Sequence, residues 1–384
     1  MKAKTLKIAL TMGVTLATVF SLSAIPVKAT NPDDEIVNFK DSNLKSAILA
    51  SPNHFDTNGD GELSIGEMKN ISNNLDLQGK EISDLTGLEY LSEDLEVLNL
   101  SNNNITDISC LANLTNLEVL NLSNNKITDI NPIKNATKIF ELDLSNNNIE
   151  DISALSNMTD VWVLSLDNNN ISNIESLSNL INMTILTLEN NKIVDLTPLK
   201  DMKGLTTLQL KNNEIEDLSP LSQLKELDYI QADNNNIKDI SALSNLTKLS
   251  RLDLANNEIE DISSLSGLSG LKTLDLSNNC IEDFSPISNL KISQLNIESQ
   301  RVSEDNNKEE DNVENETSEE ENKNDSKEES NQENNQELNT IEEITNKGEK
   351  DETPKTGVTN IIGYAVIIAI VAGVGIVWAK KKLQ

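Results

Sequence analysis

Residues 98–119 read LNLSNNNITDISCLANLTNLEV, and the chain returns to this pattern every 22 residues. Paired apolar residues one apart begin at Leu98, Leu120, Leu142, Leu164, Leu186 and Leu208, and continue at Ile230, Leu252 and Leu274. A weaker copy starts at Leu75 and a shortened one at Leu295. Within a unit, Leu98 and Leu100 alternate as on a strand, so both point to one side. Ile105, Ile108, Leu111, Leu114 and Leu117 complete an inward set around one coil. No coil can bury that surface alone, so the coils must stack, each burying its leucines against its neighbour's.

Two polar columns keep the same period. The first is Asn103, Asn125, Asn147, Asn169, Asn191, Asn213, Asn235, Asn257 and Asn279, with Lys80 and Gln300 in its place at the two ends. A turn buried between coils has backbone groups that need partners. An amide side chain has both donors and an acceptor, so this column is structural. The second runs Asp107, Asp129, Asp151, Asp195, Asp217, Asp239, Asp261 and Asp283, broken by Asn173. Ser, Thr or Asn follows each Asp closely, often with Pro next, as in Asp195-Leu196-Thr197-Pro198. That order suits the start of a short helix, with Ser or Thr as its cap and Pro at its first position. The Asp side chains are read as holders of loop amides; a ladder of bound cations is the sharper alternative.

Strand, Asn turn and short helical return in one period match the leucine-rich-repeat pattern. The 22-residue unit resembles the internalin-type repeats of Gram-positive surface proteins, over about residues 35 to 300. The resemblance implies a horseshoe of the α/β solenoid class, with a parallel sheet on the concave side and 3₁₀ turns on the convex side. It also implies a small helical N-terminal cap. Members of that group commonly carry an immunoglobulin-like domain after the repeats; nothing after Ile297 has the composition for one.

The two ends of the chain carry other signals. Lys2, Lys4 and Lys7 precede an apolar stretch from about Ile8 to Ile25, and Val27-Lys28-Ala29 sets small residues at a cleavage position. Residues 1–29 therefore read as a secretory signal. Ile361 to Ala379 is uncharged and apolar, long enough at ~1.5 Å per residue to cross a ~30 Å hydrocarbon core. Lys380, Lys381 and Lys382 follow and would stay on the cytoplasmic side. Thr353, Pro354, Lys355, Thr356 and Gly357 precede that span. The three features in this order resemble the sorting signal of Gram-positive cell-wall proteins, with Thr353 where the family has Leu. The resemblance implies cleavage between Thr356 and Gly357 by a sortase and attachment of Thr356 to peptidoglycan. The expected location is the cell wall or surface of a Gram-positive bacterium, with membrane contact only through residues 361–379. The sorting signal as a whole occupies 353–384, and the repeats 75–302. Between them, residues 303–352 are Glu, Asp, Asn, Lys and Ser with no aromatic residue. Such a segment cannot bury enough apolar surface to fold, and it reads as an extended acidic stalk.

In the segment 30–74, expected to form the cap, residues 56–67 read DTNGDGELSIGE and fit the EF-hand loop. Asp56, Asn58 and Asp60 supply side-chain oxygens, Gly61 the sharp turn, Glu62 its carbonyl, and Glu67 a two-oxygen clamp. That oxygen-only set suits one Ca²⁺. Asp41-Ser42-Asn43 opens a helix running to Leu49 that Pro52 must stop, and a second short helix is expected near Ile65 to Ile71.

Net charge is −32, which disfavours nucleic acid and anionic lipid as partners and suits basic ones. Cys110 and Cys280 stand eight repeats apart, or roughly 40 Å at ~4.8 Å per strand, so no bridge between them is expected. His54 is the only histidine, and no phosphate loop, paired-Cys metal site or nucleophile elbow is present. Enzyme chemistry has little support, and a hydrolase hidden in the repeats is the weakest reading. The expected function is capture of a protein or glycan partner by the outward strand positions. Phe140 and Trp162, equivalent residues of adjacent coils in a chain only 3% aromatic, lead the contact set, with Val163, Ile185 and Tyr229. The alternative is a wall spacer without a specific ligand.

Overall fold

The computed structural model describes residues 31–301. The signal segment, the stalk from residue 303 and the sorting signal lie outside the described residues. The described chain forms two compact units, divided after Ile193. The first holds the cap and six parallel strands in chain order: β1 (Asn74–Asp76), β2 (Val97–Asn99), β3 (Val119–Asn121), β4 (Glu141–Asp143), β5 (Val163–Ser165) and β6 (Ile185–Thr187). The second holds β7 (Thr207–Gln209), β8 (Tyr229–Gln231), β9 (Arg251–Asp253), β10 (Thr273–Asp275) and β11 (Gln294–Asn296), again parallel and consecutive. The register sets Leu98 beside Leu120 and Leu252 beside Leu274, so residues one period apart are neighbours in space.

Each coil closes its interior as the pattern requires. Leu98, Leu100, Ile105, Ile108, Leu111, Leu114 and Leu117 are all buried, as are their equivalents in neighbouring coils. Across the interior from each strand lies a 3₁₀ turn, such as Ser109–Asn113, Asn131–Ile133 and Ser219–Leu221. Pro occupies the opening of four of them: Asn131–Ile133, Thr197–Leu199, Ser219–Leu221 and Ser285–Ile287. Ser or Thr is not the cap. The capping position is apolar, Ile108 or Leu218 for instance, and its side chain caps nothing. The Asp before it does the work: Asp107, Asp129, Asp151, Asp195, Asp217, Asp239, Asp261 and Asp283 each accept a hydrogen bond from the backbone N–H two residues on, at 2.7–2.8 Å. Asn173 does the same for Glu175. The column thus holds loop amides, which is the structural reading; its oxygens are not gathered into a cation ladder.

The Asn column bridges successive coils. Asn147 Nδ2 donates to Leu122 O of the coil before and to Leu144 O of its own coil, both at 3.0 Å, and its Oδ1 accepts from Ile127 N at 3.0 Å. Asn125, Asn169, Asn235, Asn257 and Asn279 repeat this arrangement. Gln300, one carbon longer, performs the same service at the end of the second unit, accepting from Ile281 N and donating to Leu276 O and Ile297 O. A second Asn column, immediately before the first, makes the turn itself: Asn102, Asn124, Asn146, Asn168 and Asn190 sit at φ from +54° to +58°. Asn enters that left-handed region more readily than other residues bearing a Cβ.

The cap closes the first unit's open end. Helix α1 (Ser42–Leu49) and helix α2 (Ile65–Lys69) form where expected, α1 starting after Asp41. Asp41 joins cap to repeats: Oδ1 accepts from Asn43 N and Leu44 N, while Oδ2 accepts from Ser83 N and Oγ. Glu67 closes the loop before α2. Its Oε1 accepts from Thr57 N and Oγ1 at 2.8 and 2.9 Å, its Oε2 from Ser64 N and Oγ at 2.9 and 3.0 Å. Burial by itself would raise the Glu67 pKa, but these donors to the charged form, led by Ser64 N–H, outweigh it and hold the pKa at about 2.

Two outcomes are expected. Asn147→Ala strands Ile127 N and two carbonyls in the interior and should lower the unfolding free energy by about 2–4 kcal/mol, as read by urea denaturation. Glu67 has a pKa depressed from 4.5 to about 2. Its stabilisation is complete above about pH 4.5 and lost as pH falls towards 2. Amide exchange at Thr57 and Ser64 should therefore accelerate across that window in the wild type, and Glu67→Gln should be fast already at pH 7.

Candidate functional site

The outward positions of β2–β5 carry the first unit's exposed aromatic surface. Because the register makes residues 22 apart neighbours, Phe140 and Trp162, just before β4 and β5, come together with ring centroids 6.2 Å apart and planes tilted by 49°. Trp162 is 38% exposed, unusual for a residue of its size, while Phe140 and Val163 are half-buried. Val97 and Val119 continue the apolar strip on β2 and β3. Ile185 departs from expectation: it is 5% exposed and Thr187 beside it on β6 is fully buried. Ile185 is thus part of the protein's packing and not an accessible contact. The strip open to a partner ends at β5.

Carboxylates border the strip. Asp143 Oδ1 accepts from Ser145 N and Oγ at 3.0 and 2.7 Å. Asp167 accepts from Thr187 Oγ1 and from Glu189 N, each at 2.7 Å. Burial pushes the Asp167 pKa up to about 6 against these bonds. Burial, reinforced by the charge of Asp143, raises that of Glu141 as well.

Tyr229 belongs to the second unit and to different chemistry. Its hydroxyl donates to Gln231 Oε1 at 2.6 Å, and the Arg251 guanidinium lies 4.5 Å over its ring. Gln209 Nε2 donates to the same Gln231 oxygen, Gln231 Nε2 donates to Asp233, and Lys211 pairs with Asp233 at 2.8 Å. This polar chain was missed in the sequence although a signal was there: Gln209 with Gln231, and Lys211 with Asp233, are each one period apart. Of the expected partner contacts, then, the structure gathers Phe140, Trp162 and Val163, buries Ile185, and sets Tyr229 in a separate network.

In the cap, the loop 56–67 turns at Gly61, whose φ is +81°. Asp56 accepts from Gly59 N and Gly61 N, Asn58 from Asp60 N, and Asp60 from Glu62 N. The Glu62 side chain pairs with Lys45 at 2.6 Å. The expected donors are all oxygens, the type of ligand calcium takes. The Glu67 clamp, though, is turned onto Thr57 and Ser64, and among the described residues no group of three or more His, Cys, Asp or Glu converges on one point. Cys110 and Cys280 are free thiols. Burial, with Glu89 and Asp107 nearby, pushes the Cys110 pKa up to about 12, which closes thiolate chemistry there.

Leucine-rich-repeat sequence profiles match residues 93–135, 136–156, 230–267 and 247–289. No curated protein sequence matches the chain. Among solved structures, an internalin (inlF) of Listeria monocytogenes is 37% identical, with a TM-score of 0.66, over 72% of this chain and 81% of that one. A leucine-rich-repeat protein of Leptospira interrogans is 27% identical, with a TM-score of 0.57, over 62% of this chain and 64% of that one. A plant peptide hormone receptor in complex with its peptide, 22% identical with a TM-score of 0.50 over 60% of this chain and 38% of that one, shares the fold alone. With the repeat, the Asn ladder, the helical cap and the strand register all in place, the chain belongs to the internalin family of leucine-rich-repeat proteins.

Proposed function

We propose that this is an exported surface protein that captures a protein partner on the outward face of β2–β5. The observation that carries the reading is the Phe140–Trp162 pair: two aromatic rings in contact at the entry to β4 and β5, one of them 38% exposed, beside half-buried valines. An exposed Trp costs a soluble protein apolar hydration, and such residues dominate binding energy where they are retained. The contact between the rings adds to this: rings that already restrain each other lose little entropy when a partner arrives. A glycan partner and a ligand-free wall spacer are the competing readings.

Anchoring belongs to the same proposal. Residues 1–29 would direct export. Thr353, Pro354, Lys355, Thr356 and Gly357, the apolar run 361–379 and Lys380–Lys382 would deliver the protein to a sortase and join Thr356 to peptidoglycan. The acidic 303–352 would then serve as the spacer between wall and repeats. For the cap, the Asp56, Asn58, Asp60 and Glu62 oxygens support a single, weak calcium site, with a dissociation constant on the order of 10⁻⁴–10⁻³ M. Its occupation would require Glu67 to leave Thr57 and Ser64.

Three measurements decide among these. Phe140→Ala with Trp162→Ala should reduce capture of a partner from host and bacterial surface extracts by at least tenfold while leaving the melting temperature within a few degrees; undiminished capture rules out this face. Digestion of the wall should release the protein, whereas full extraction by detergent alone would reject the sortase route. Calorimetric titration with CaCl₂ should show one site that disappears in Asp60→Ala, and the absence of heat in the wild type ends the calcium reading.

A further inference from the structure

The face that carries Phe140 and Trp162 has a one-sided charge pattern that the protein's overall acidity does not explain. The strand segments 96–101, 118–123, 140–145 and 162–167 hold five acids, Glu96, Glu118, Glu141, Asp143 and Asp167, and no Lys, Arg or His. The same stretch of chain does contain lysines, but all three lie in the turns and loops. Lys126 reaches Asn104 and Lys138 reaches Asn116, and Lys134 ends a 3₁₀ turn. Acids are distributed round the whole coil; bases are kept off this face. The five carboxylates are half-buried and flank the strip formed by Val97, Val119, Phe140, Trp162 and Val163.

That arrangement has a definite complement. An apolar centre rewards an apolar side chain with water removed from both surfaces. Half-buried carboxylates lose hydration when a partner covers them, and cationic donors, which also balance their charge, compensate that loss best. An acidic rim would add like-charge repulsion to that loss. Sugar hydroxyls are a poorer match. The ring pair is tilted by 49° rather than laid open as a flat platform.

We propose that the β2–β5 face is selective for a polypeptide that sets Lys or Arg side chains around an apolar one, and that the five carboxylates act as its specificity filter. This rests on the reading of that face as the docking surface.

The test presents the full chain with two synthetic peptide pools of equal apolar content. One is built from Lys, Arg, Leu and Phe; the other has Glu and Asp in place of the basic residues. The basic pool should be retained and the acidic one should not. Retention should weaken by about tenfold or more between 50 and 300 mM salt. Glu118→Lys with Glu141→Lys should reduce it at least about tenfold, equivalent to ~1.4 kcal/mol. Glu150→Lys with Glu175→Lys, which make the same charge change at exposed positions outside the strands, should have a much smaller effect. Equal loss in the two charge-reversed proteins would mean that bulk charge alone is responsible and would overturn the proposal. So would equal retention of both pools, or retention of neither pool with binding to a glycan array instead. If Trp162→Ala abolishes retention while Glu118→Lys with Glu141→Lys leaves it unchanged, the docking face stands and the filter falls.

Discussion

Everything in this structure depends on the partners found for backbone groups that stacking hides. Each coil turns sharply at its Asn, and the next coil covers that turn. Without a side chain in the gap, an N–H and two carbonyls per coil would lose water and gain nothing, at ~1–3 kcal/mol for each group. The Asn147 amide, bonded at once to Leu122 O, Leu144 O and Ile127 N, meets all three demands with one side chain. An apolar residue meets none of them, and Asp, lacking donors, meets only one. The leucines supply the driving force for stacking, but the amide ladder decides that coils stack in this register.

Register in turn decides what stands beside what. With neighbouring strands aligned residue for residue, any two side chains one period apart face each other across ~4.8 Å of sheet. Phe140 meets Trp162 for this reason alone, and Lys211 meets Asp233 likewise. The repeat therefore separates two tasks that most folds mix. Inward positions are fixed by packing, while outward positions are freer to vary, with the buried Ile185 and Thr187 of β6 as exceptions. The apolar strip of β2–β5 and the polar chain around Tyr229 are two different uses of that freedom.

The cap solves the complementary problem at an end where no further coil exists. A stack must stop, and its last exposed leucines need a lid. Here the lid is held by two buried carboxylates rather than by apolar contact alone: Asp41 reaches across to Ser83, and Glu67 binds the loop that leads into α2. Gln300 solves the same problem differently at the other terminus, continuing the amide ladder into a shortened coil with one extra carbon.

The 22-residue period by itself determined the stack, with its eleven strands, inward leucines and Asn ladder; the parallel sheet and the 3₁₀ returns came from the resemblance to internalin-type repeats. Strands, leucines and Asn are each a local pattern repeated, and repetition makes a weak propensity decisive. α1 and its Asp41 start were readable for the same local reason. Tertiary structure alone decided the fate of side chains whose surroundings come from elsewhere in the chain. Ile185 occupies an outward strand position yet is buried, because alternation fixes direction and not accessibility. The 3₁₀ turns are capped by the preceding Asp rather than by Ser or Thr, because the apolar residue between them must turn inward. Glu67 reads as a metal clamp in a linear motif; only the fold shows that Thr57 and Ser64 stand within hydrogen-bond reach of its carboxylate.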